Sequence, residues 1–253
     1  MHTKTAIVIG ATSGIGRELA VRLLEEGWKV GIAGRREALL ADIQGKYGPE
    51  AVSYAVMDVT KEEAVQALDA LLAHVGAPDL FLHVAGVGYQ NPSVDERIEM
   101  DVVRTNCEGM VRVVSHFVNY VKGSPAYDKR HKAYVGVVTS VAATAGLGVA
   151  AAYSASKKMQ VTYLSALSQL ARMRDIPVFF SDIRPGFVAT DLLELGHHYP
   201  VLMTVEAAAG HILRGLRHRR RVIIFDWRFR LIVALWNLIP RGLWERITFI
   251  KTQ

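Results

Sequence analysis

The fold is decided by one stretch near the start of the chain, Ala6-Ile7-Val8-Ile9-Gly10-Ala11-Thr12-Ser13-Gly14-Ile15-Gly16. Its apolar first four residues predict a buried strand, and a helical pattern begins at Arg17. Without side chains, Gly10 permits a tight turn, Gly14 lets the backbone approach a pyrophosphate, and Gly16 lets the helix pack closely on the strand. Free N–H groups at the helix start would face the phosphates. The stretch therefore predicts a dinucleotide site rather than an ordinary glycine-rich turn.

Outward from this stretch, short β-rich runs alternate with longer segments of helical periodicity, which is typical of a parallel sheet covered by helices. The predicted strands are Thr5–Ile9, Lys29–Ala33, Val52–Met57, Leu80–Val84, Ala133–Thr139, Val178–Ile183 and Val222–Phe225. The predicted helices include Arg17–Glu26, Glu37–Tyr47, Lys61–His74, Val102–Val121 and Ala155–Arg174. Because β-α-β crossovers are right-handed, the sequence predicts a Rossmann-type, doubly wound α/β fold. It has a parallel sheet of about seven strands, three layers (α/β/α), and ligands beyond the carboxyl ends of the strands.

No linker, repeat or low-complexity tract interrupts this alternation, so residues 1–253 are predicted to form a single domain. Its core spans 1–227, and 228–253 form an apolar and basic helical extension. Loops rich in glycine and proline are predicted at 45–49, 123–125 and 196–200. The last of these follows the sixth predicted strand and is interpreted as a candidate mobile lid.

The composition excludes several classes of protein. Apolar residues make up 51% of the 253 residues, enough for a sizeable core, so wholesale disorder is excluded. The formal net charge of +6 does not by itself indicate a nucleic acid. The basic tract Arg214–Arg221 also lacks aromatic side chains that would stack on bases. No nucleic-acid partner is therefore predicted.

Cysteine and histidine usage argues against a metal centre. The single cysteine, Cys107, excludes an intrachain disulfide and a cysteine-cluster metal site, and is interpreted as a small buried apolar residue. The nine histidines form no His-x-x-x-His unit, and the pair His197-His198 has no further ligands nearby in sequence. No metal is predicted. The first ten residues hold no signal-peptide apolar segment, so the chain is expected in the cytoplasm.

The residues after the second strand indicate which dinucleotide is bound. An acidic residue there hydrogen-bonds the ribose of NAD, whereas arginine accommodates the 2′-phosphate of NADP. The sequence reads Ala33-Gly34-Arg35-Arg36, and a guanidinium matches phosphate geometry well. Arginines that merely solvate a helix start are disfavoured, since cations are unfavourable at the positive end of a helix dipole. NADP, as NADPH in the reductive direction, is therefore predicted.

A tyrosine and a lysine four residues apart indicate the chemistry. Tyr153 and Lys157 share one face of a predicted helix. The phenol has an ordinary pKa of about 10, and the nearby cation is expected to lower it. Tyr153 would then give a proton to a carbonyl oxygen as hydride arrives. Ser140 lies at the end of the fifth predicted strand and is expected to hold the same oxygen.

In this order, the motifs from Lys4 to Phe225 resemble those of the short-chain dehydrogenase/reductase family. The resemblance implies that Asn106, Ser140, Tyr153 and Lys157 are catalytic, with a water ordered at Asn106 passing protons to Lys157. It also implies that Lys157 binds the nicotinamide ribose. The cofactor contacts implied by the motifs and the resemblance are Gly10, Thr12, Ser13, Gly14, Ile15, Gly16, Arg35, Arg36, Asp58, Val59, Ala85, Gly86, Asn106, Tyr153, Lys157, Pro185, Gly186, Val188 and Thr190.

Two departures from the family pattern stand out. His83-Val84 occupies the place where the family often has two asparagines, which puts a sheet-stabilising hydrogen bond in question but not the chemistry. Ile9 replaces a threonine that commonly precedes the first glycine, and the phosphate turn is expected to survive this change.

The substrate side is predicted to be apolar. Its expected lining is Val141, Ala142, Leu147, Val149, Phe187, Leu192 and Leu193. Because no carboxylate clamp is evident, we expect a hydrophobic ketone or alcohol, such as a lipid, a steroid-like molecule or a 3-oxoacyl compound. Two alternatives stay open: an NAD-dependent alcohol dehydrogenase of the same family, and a non-catalytic NADP-binding sensor or scaffold.

The extension carries Trp236 and Trp244 among leucines and arginines, and Pro240 and nearby charges leave no apolar run long enough to span a bilayer. Two helices broken at Pro240 would lie at the inner face of a membrane and contact it through 228–250, with Arg219–Arg221 and Arg228 near anionic head groups. Alternatively, they cover the substrate cleft or another subunit. The resemblance further suggests a homodimer or homotetramer formed through the helices that contain Asn106 and Tyr153.

Overall fold

The structure is a computed structural model, and it describes residues 3–190, 202–236 and 238–247. Strands and helices alternate along the described chain. The strands are β1 Thr5–Ile9, β2 Lys29–Gly34, β3 Val52–Val56, β4 Leu80–His83, β5 Ala133–Val138, β6 Val178–Ile183 and β7 Val222–Ile223. The α-helices are α1 Gly14–Glu25, α2 Glu37–Tyr47, α3 Ala64–Val75, α4 Glu96–Val103, α5 Met110–Gly123, α6 Ala151–Met173, α7 Val205–Arg217, α8 Trp227–Trp236 and α9 Arg241–Trp244.

The strands form one parallel sheet in the order β3-β2-β1-β4-β5-β6-β7. The chain runs outward from β1 to β3 and then returns to place β4 on the other side of β1. This reversal creates a ligand crevice beyond the carboxyl ends of β1 and β4. The predicted doubly wound sheet with helices on both faces is confirmed.

Both faces of the sheet are covered, because successive side chains of a strand point to opposite faces. In β1, Ala6 and Val8 pack in one apolar cluster with α1 and α7, whereas Ile7 and Ile9 pack in the other with α3 and α5. All four side chains are fully buried. Burial on both faces explains why the strand that decides the fold is a continuous apolar run.

Some predicted boundaries are wrong at the ends of elements. β7 ends at Ile223 instead of Phe225, because only Val222 and Ile223 pair with β6. The first helix begins at Gly14 instead of Arg17, since the Arg17 N–H already bonds the Ser13 carbonyl. Similarly, α3 begins three residues later than predicted and α6 begins four residues earlier.

The helix predicted over 102–121 is three consecutive elements: α4, a π-helical segment over Arg104–Gly109, and α5. Asp95 starts α4 by accepting a hydrogen bond from the Arg97 N–H. Gly109 ends the π-helical segment directly against Val59, where a Cβ would lie 2.6 Å from the Val59 side chain. Such π-helical turns are frequent at functional sites.

The extension forms α8 and α9 on either side of Pro240, as predicted. Phe229 and Val233 of α8 are buried in a small cluster with Val141. Trp244 Nε1 donates to the Gly146 carbonyl at 2.7 Å. Within the described residues, no helix has the length and apolarity to cross a membrane. The candidate lid at 196–200, with Leu192, Leu193 and His197-His198, lies outside the described residues.

Candidate active site

The β1–α1 turn excludes side chains at two of its glycines. Gly10 has a φ of +93°, and a Cβ there would lie 2.5 Å from the backbone nitrogen of Ala85. A Cβ on Gly16 would overlap the carbonyl oxygen of Gly10. Because the obstructing atoms belong to the backbone, they cannot move aside as a flexible side chain would. The turn is therefore fixed against the residues that follow β4.

The start of α1 presents backbone N–H groups to an anion. Its N-cap residue, Ser13, makes no side-chain capping bond, and the first turn carries no acidic residue. Gly14 has a φ of +51° and faces Thr190, whose methyl group would lie 3.1 Å from a Cβ there. Uncapped N–H groups and the positive end of the helix dipole suit a phosphate. The predicted contacts Thr12, Ser13, Gly14, Ile15, Gly16 and Thr190 thus lie around one helix N-terminus.

The two arginines after β2 lie at the next helix start. Arg36 is the N-cap residue of α2, and its guanidinium donates to the Thr12 hydroxyl at 3.0 Å. Arg35 is exposed and interacts electrostatically with Asp58. An exposed cation at a helix N-terminus is unfavourable by itself, and a bound phosphate would reverse that penalty.

Asp58 and Val59 follow β3 on the same side of the sheet. Burial acts to raise the pKa of Asp58, but hydrogen bonds from the Thr60 N–H and hydroxyl, with Arg35 and Lys61 nearby, bring it below its ordinary value. The carboxylate therefore stays ionised. Val59 is buried against the π-helical segment, and its carbonyl accepts a hydrogen bond from Arg112.

These features fit a dinucleotide. The glycines remove side chains where a pyrophosphate would approach the backbone, and the uncapped start of α1 supplies donors. Arg35 and Arg36 lie about one strand spacing away, beyond the neighbouring strand β2. Among the described residues, no group of His, Cys, Asp or Glu side chains is placed to hold a metal ion.

Three predicted catalytic side chains meet beyond β4 and β5. The hydroxyl of Ser140 hydrogen-bonds the phenol of Tyr153. Lys157 Nζ donates to the Val138 carbonyl at 3.2 Å and lies 5.7 Å from the centre of the Tyr153 ring. Tyr153 and Lys157 share one face of α6, as their spacing predicted.

Burial controls the protonation of Tyr153. It raises the pKa of the phenol above its ordinary value, and the hydrogen bond from Ser140 opposes this rise without cancelling it. The expectation that the phenol pKa falls below its ordinary value is wrong for this chain, because burial outweighs the neighbouring groups that would lower it. The ammonium is directed toward the Val138 carbonyl, so desolvation of the phenolate prevails.

Lys157 is only 5% exposed. Burial lowers its pKa to about 8, although the charges of Cys107 and Asp182 act in the opposite direction. The side chain is thus an ammonium at neutral pH and loses its proton just above. Cys107, interpreted from the sequence as buried, is only half-buried; burial raises its pKa, which disfavours a thiolate nucleophile.

Asn106 links the turn after β4 to α6. Its side-chain oxygen accepts from the Val87 N–H at 2.9 Å, while its amide donates to the Val87 carbonyl at 2.8 Å and to Ser156 Oγ at 3.0 Å. A Cβ on Gly86 would lie 3.0 Å from that oxygen and 3.4 Å from Lys157 Nζ. The asparagine therefore lies beside the lysine, and its ordering of a water stays a prediction.

The sequence reading missed a buried charge pair beneath these residues. Asp182, in β6, accepts a hydrogen bond from Thr139 at 2.5 Å and forms a salt bridge with Arg184 at 2.6 Å. Asp182 and Thr139 are less than 10% exposed. An acidic residue inside a mostly apolar strand was the available signal, since a buried carboxylate needs a partner.

Two further polar residues behind Lys157 were also missed. Gln160 is fully buried and donates to the Asn106 carbonyl at 2.8 Å. Ser156 accepts from Asn106 and donates to the Tyr153 carbonyl. Both lie within one turn of Lys157 on α6, so their spacing from it could have identified them.

His83 occupies the end of β4, where the sequence departs from the family pattern. It is fully buried, and neither ring nitrogen has a hydrogen-bond partner among the described residues. Burial, together with the nearby Lys157 cation, lowers its pKa to about 3. The ring is neutral at physiological pH, and the sheet-stabilising hydrogen bond questioned from the sequence is absent here.

The segment after β6 closes the crevice from the far side. The Pro185 carbonyl accepts from the Val141 N–H at 3.0 Å, so this segment is tied to the residue after Ser140. A Cβ on Gly186 would overlap the ring of Phe229. Val188 is buried and pairs with Met203, and Ala85 bonds back to the Ile9 carbonyl.

The structure divides the apolar lining that was predicted for the substrate side. Val141 is buried in a cluster with Phe229 and Val233, against which Phe187 packs, whereas Leu147 and Val149 belong to the 143–149 loop. A separate open cavity of about 670 Å³ lies between the 143–149 loop, α6 and Trp244. It is lined by Ser154 and Lys158 rather than by Tyr153 and Lys157, so it lies outside the catalytic cluster.

Comparisons with known proteins identify relatives of this chain. A family model described as short chain dehydrogenase matches residues 4–197. An uncharacterized oxidoreductase of Myxococcus xanthus is 30% identical over 253 residues, covering 97% of this chain and 96% of that protein. A very-long-chain 3-oxoacyl-CoA reductase of Laccaria bicolor is 29% identical over 183 residues, covering 68% of this chain and 52% of that protein.

Solved structures share the fold at low identity. A short chain dehydrogenase of Burkholderia cenocepacia in complex with NADP has a TM-score of 0.80 at 21% identity, with 97% of each chain covered. A short chain dehydrogenase/reductase of Burkholderia phymatum in complex with NAD has a TM-score of 0.78 at 23% identity, with 92% of each chain covered. On its sequence match and its fold, the chain belongs to the short-chain dehydrogenase/reductase family.

Proposed function

We propose that this protein is an NADPH-dependent oxidoreductase that reduces a hydrophobic ketone to a secondary alcohol. The observation that carries the proposal is the meeting of Ser140, Tyr153 and Lys157 beyond the carboxyl ends of β4 and β5, beside the β1–α1 turn. A nicotinamide cofactor supplies the hydride when bound. Orientation of the carbonyl and delivery of the proton fall to the polypeptide.

The two hydroxyls act on one oxygen. Ser140 is hydrogen-bonded to Tyr153, so both can donate to a carbonyl oxygen between them. The raised phenol pKa keeps the proton on Tyr153 at neutral pH, which suits donation to a developing alkoxide. The reverse oxidation would need the phenolate, which burial disfavours. The resting protonation state of Tyr153 is therefore the one from which reduction starts.

Lys157 supports this proton transfer. Its ammonium lies beside Asn106 and Gly86 and is 5.7 Å from the centre of the Tyr153 ring. As Tyr153 gives up its proton, the positive charge stabilises the phenolate left behind. We propose that Lys157 also holds the nicotinamide ribose, and that Asn106 orders a water that returns a proton to the lysine.

Arg35 and Arg36 support NADP over NAD. They stand at the start of α2. Asp58 interacts with Arg35, but its carboxylate is already hydrogen-bonded to Thr60. A cofactor-preference assay on wild type and Arg35→Asp tests this. Loss of discrimination against NADH supports the assignment, whereas an unchanged preference for either dinucleotide contradicts it.

The apolar wall supports a hydrophobic substrate, such as a lipid, a steroid-like molecule or a 3-oxoacyl compound. The similarity to a 3-oxoacyl-CoA reductase points the same way. Because α8 packs on Val141 and Gly186, we propose that one role of the extension is to cover the substrate side. NADPH oxidation over a panel of ketones, with Tyr153→Phe as the blank, tests the proposal. Turnover confined to small polar sugars would contradict it.

We further propose that the protein is a single cytoplasmic domain, and that it assembles into a homodimer or homotetramer through the helical segments that contain Asn106 and Tyr153. The competing non-catalytic NADP-binding scaffold requires cofactor binding without turnover of any ketone in the panel.

A further inference from the structure

The helix α8 has two apolar faces in different surroundings. Phe229 and Val233, one turn apart, are buried on the substrate side. Leu231 and Leu235 lie on the opposite face, one turn apart, and are 52% and 53% exposed. Leu238 and Leu243 continue this exposure beyond the helix. We call these four exposed residues the leucine surface.

Arginines flank these leucines along the chain. Arg228 and Arg241 are paired with Asp226 and Glu245, respectively. Arg246 is exposed and has no ion pair within the described chain, and Arg230 uses its Nε to bond the Ile224 carbonyl. The rim therefore carries more positive than negative charge. Trp236 and Trp244 pack together in this segment with ring centres 5.3 Å apart.

This combination matches an anionic bilayer better than a second copy of the chain. Aliphatic side chains with a cationic rim and tryptophans are typical of segments that lie in the membrane interface. Two copies meeting symmetrically through the leucine surface would bring like-charged rims together, which is unfavourable.

We infer that the leucine surface docks on an anionic lipid bilayer, with α8 and α9 lying along the interface. The buried face of the same helix then holds the apolar wall of the substrate side at the level of the lipid. One face of α8 therefore covers the substrate side and the opposite face contacts the membrane, so the two roles are compatible. A ketone dissolved in the membrane would reach the site from there; this part rests on the proposed function.

Flotation with vesicles tests the docking without any turnover. Full-length protein is mixed with phosphatidylcholine vesicles containing about a third phosphatidylserine, or none, at two salt concentrations. We expect wild type to float with the anionic vesicles and to lose most binding in pure phosphatidylcholine or high salt. Wild type that remains unbound under all conditions overturns the inference.

Two variants separate the apolar and charged contributions. Leu235→Gln with Leu238→Gln should lower the bound fraction on both kinds of vesicle, by at least about tenfold in partition coefficient. Arg228→Gln with Arg246→Gln should lower it about fivefold per charge on anionic vesicles only. The matched control is Leu170→Gln with Met173→Gln, which removes apolar side chains of similar exposure, 42% and 71%, from α6. Equal losses in the control and the leucine variant contradict a specific surface.

Mass measurements and kinetics distinguish the remaining outcomes. If Leu235→Gln with Leu238→Gln lowers the mass of the assembly and leaves flotation unchanged, the surface is a subunit contact and the inference is wrong. If docking holds, this variant raises the KM for a vesicle-dissolved ketone and leaves kcat for a water-soluble ketone unchanged. If the protein floats with anionic vesicles but reduces no ketone, the docking inference holds and the proposed reductase function is wrong.

Discussion

The two ends of the active site are built on different physical principles. The nucleotide end is made of backbone packed so closely that a methyl group on Gly10 has no space. The catalytic end is made of buried polar and charged groups, with Lys157, Asp182 and His83 all under 10% exposed. A substitution at the nucleotide end should create a steric overlap and lower both the stability of the protein and its affinity for the nucleotide. A substitution that removes a charge at the catalytic end should lower the activity and leave the stability at neutral pH unchanged.

Replacing Lys157 by methionine tests the catalytic end most directly. We expect kcat/KM for ketone reduction to fall about 10³-fold, because the phenolate left on Tyr153 loses its cation. Stability at pH 7 should not fall, since a pKa lowered from 10.5 to about 8 means that burying the ammonium costs about 3 kcal/mol. Lys158→Met is the matched control and should keep its activity. A thermal unfolding temperature of Lys157→Met far below that of wild type would contradict the view that this end contributes charge and not stability.

Replacing Gly10 by alanine tests the nucleotide end. The left-handed φ and the clash with the Ala85 backbone should cost roughly 2–5 kcal/mol and weaken NADPH binding at least about tenfold. Urea unfolding and fluorescence titration with NADPH measure the two effects. Gly45→Ala is the control, because a Cβ there meets nothing within 4 Å. Lost binding with unchanged stability would mean that sterics do not control this end.

Replacing Asp182 by asparagine tests whether its carboxylate controls the protonation of Lys157. The Asp182 carboxylate raises the Lys157 pKa, so its removal should lower that pKa further below about 8. As the pH is raised, the variant should therefore lose the ammonium, and the activity that depends on it, at a lower pH than wild type does. At pH 8 we expect a loss of about threefold to tenfold, largely recovered near pH 6. Asp175→Asn, on the surface, should leave the pH profile in place. An unshifted profile contradicts the electrostatic link.

Replacing His83 by asparagine should have the smallest effect at neutral pH. The folded pKa of about 3 lies below the unfolded value of 6.5, so the unfolded chain binds the proton more strongly. Stability is complete above about pH 6.5 and falls as the pH drops toward 3, by about 2 kcal/mol at pH 5. His83→Asn should remove this acid sensitivity, whereas exposed His74→Asn should not. Equal unfolding of wild type and His83→Asn at pH 5 would contradict the buried neutral ring.

The same contrast explains what the sequence could predict. The strand, the glycine turn and the order of elements are local patterns, so the sheet and the positions of Gly10, Tyr153 and Lys157 follow from them. The raised pKa of Tyr153 does not, because it depends on desolvation by residues far apart in the chain. The π-helical segment was also missed, since its apolar spacing reads as one helix. Asp182 was visible as an anomaly, but its partner Arg184 required the folded strand.

Packing of Phe229 on Gly186 has a consequence for biosynthesis. Among the described strands, β1 to β6 end well before α8 in chain order, so a nascent polypeptide can bring them and the nucleotide turn out of the ribosome before this aromatic ring. Until then the hydrophobic lining near Val141 is open to water and to chaperones. The ability to recognise a substrate would thus be acquired last, after the ability to hold a nucleotide.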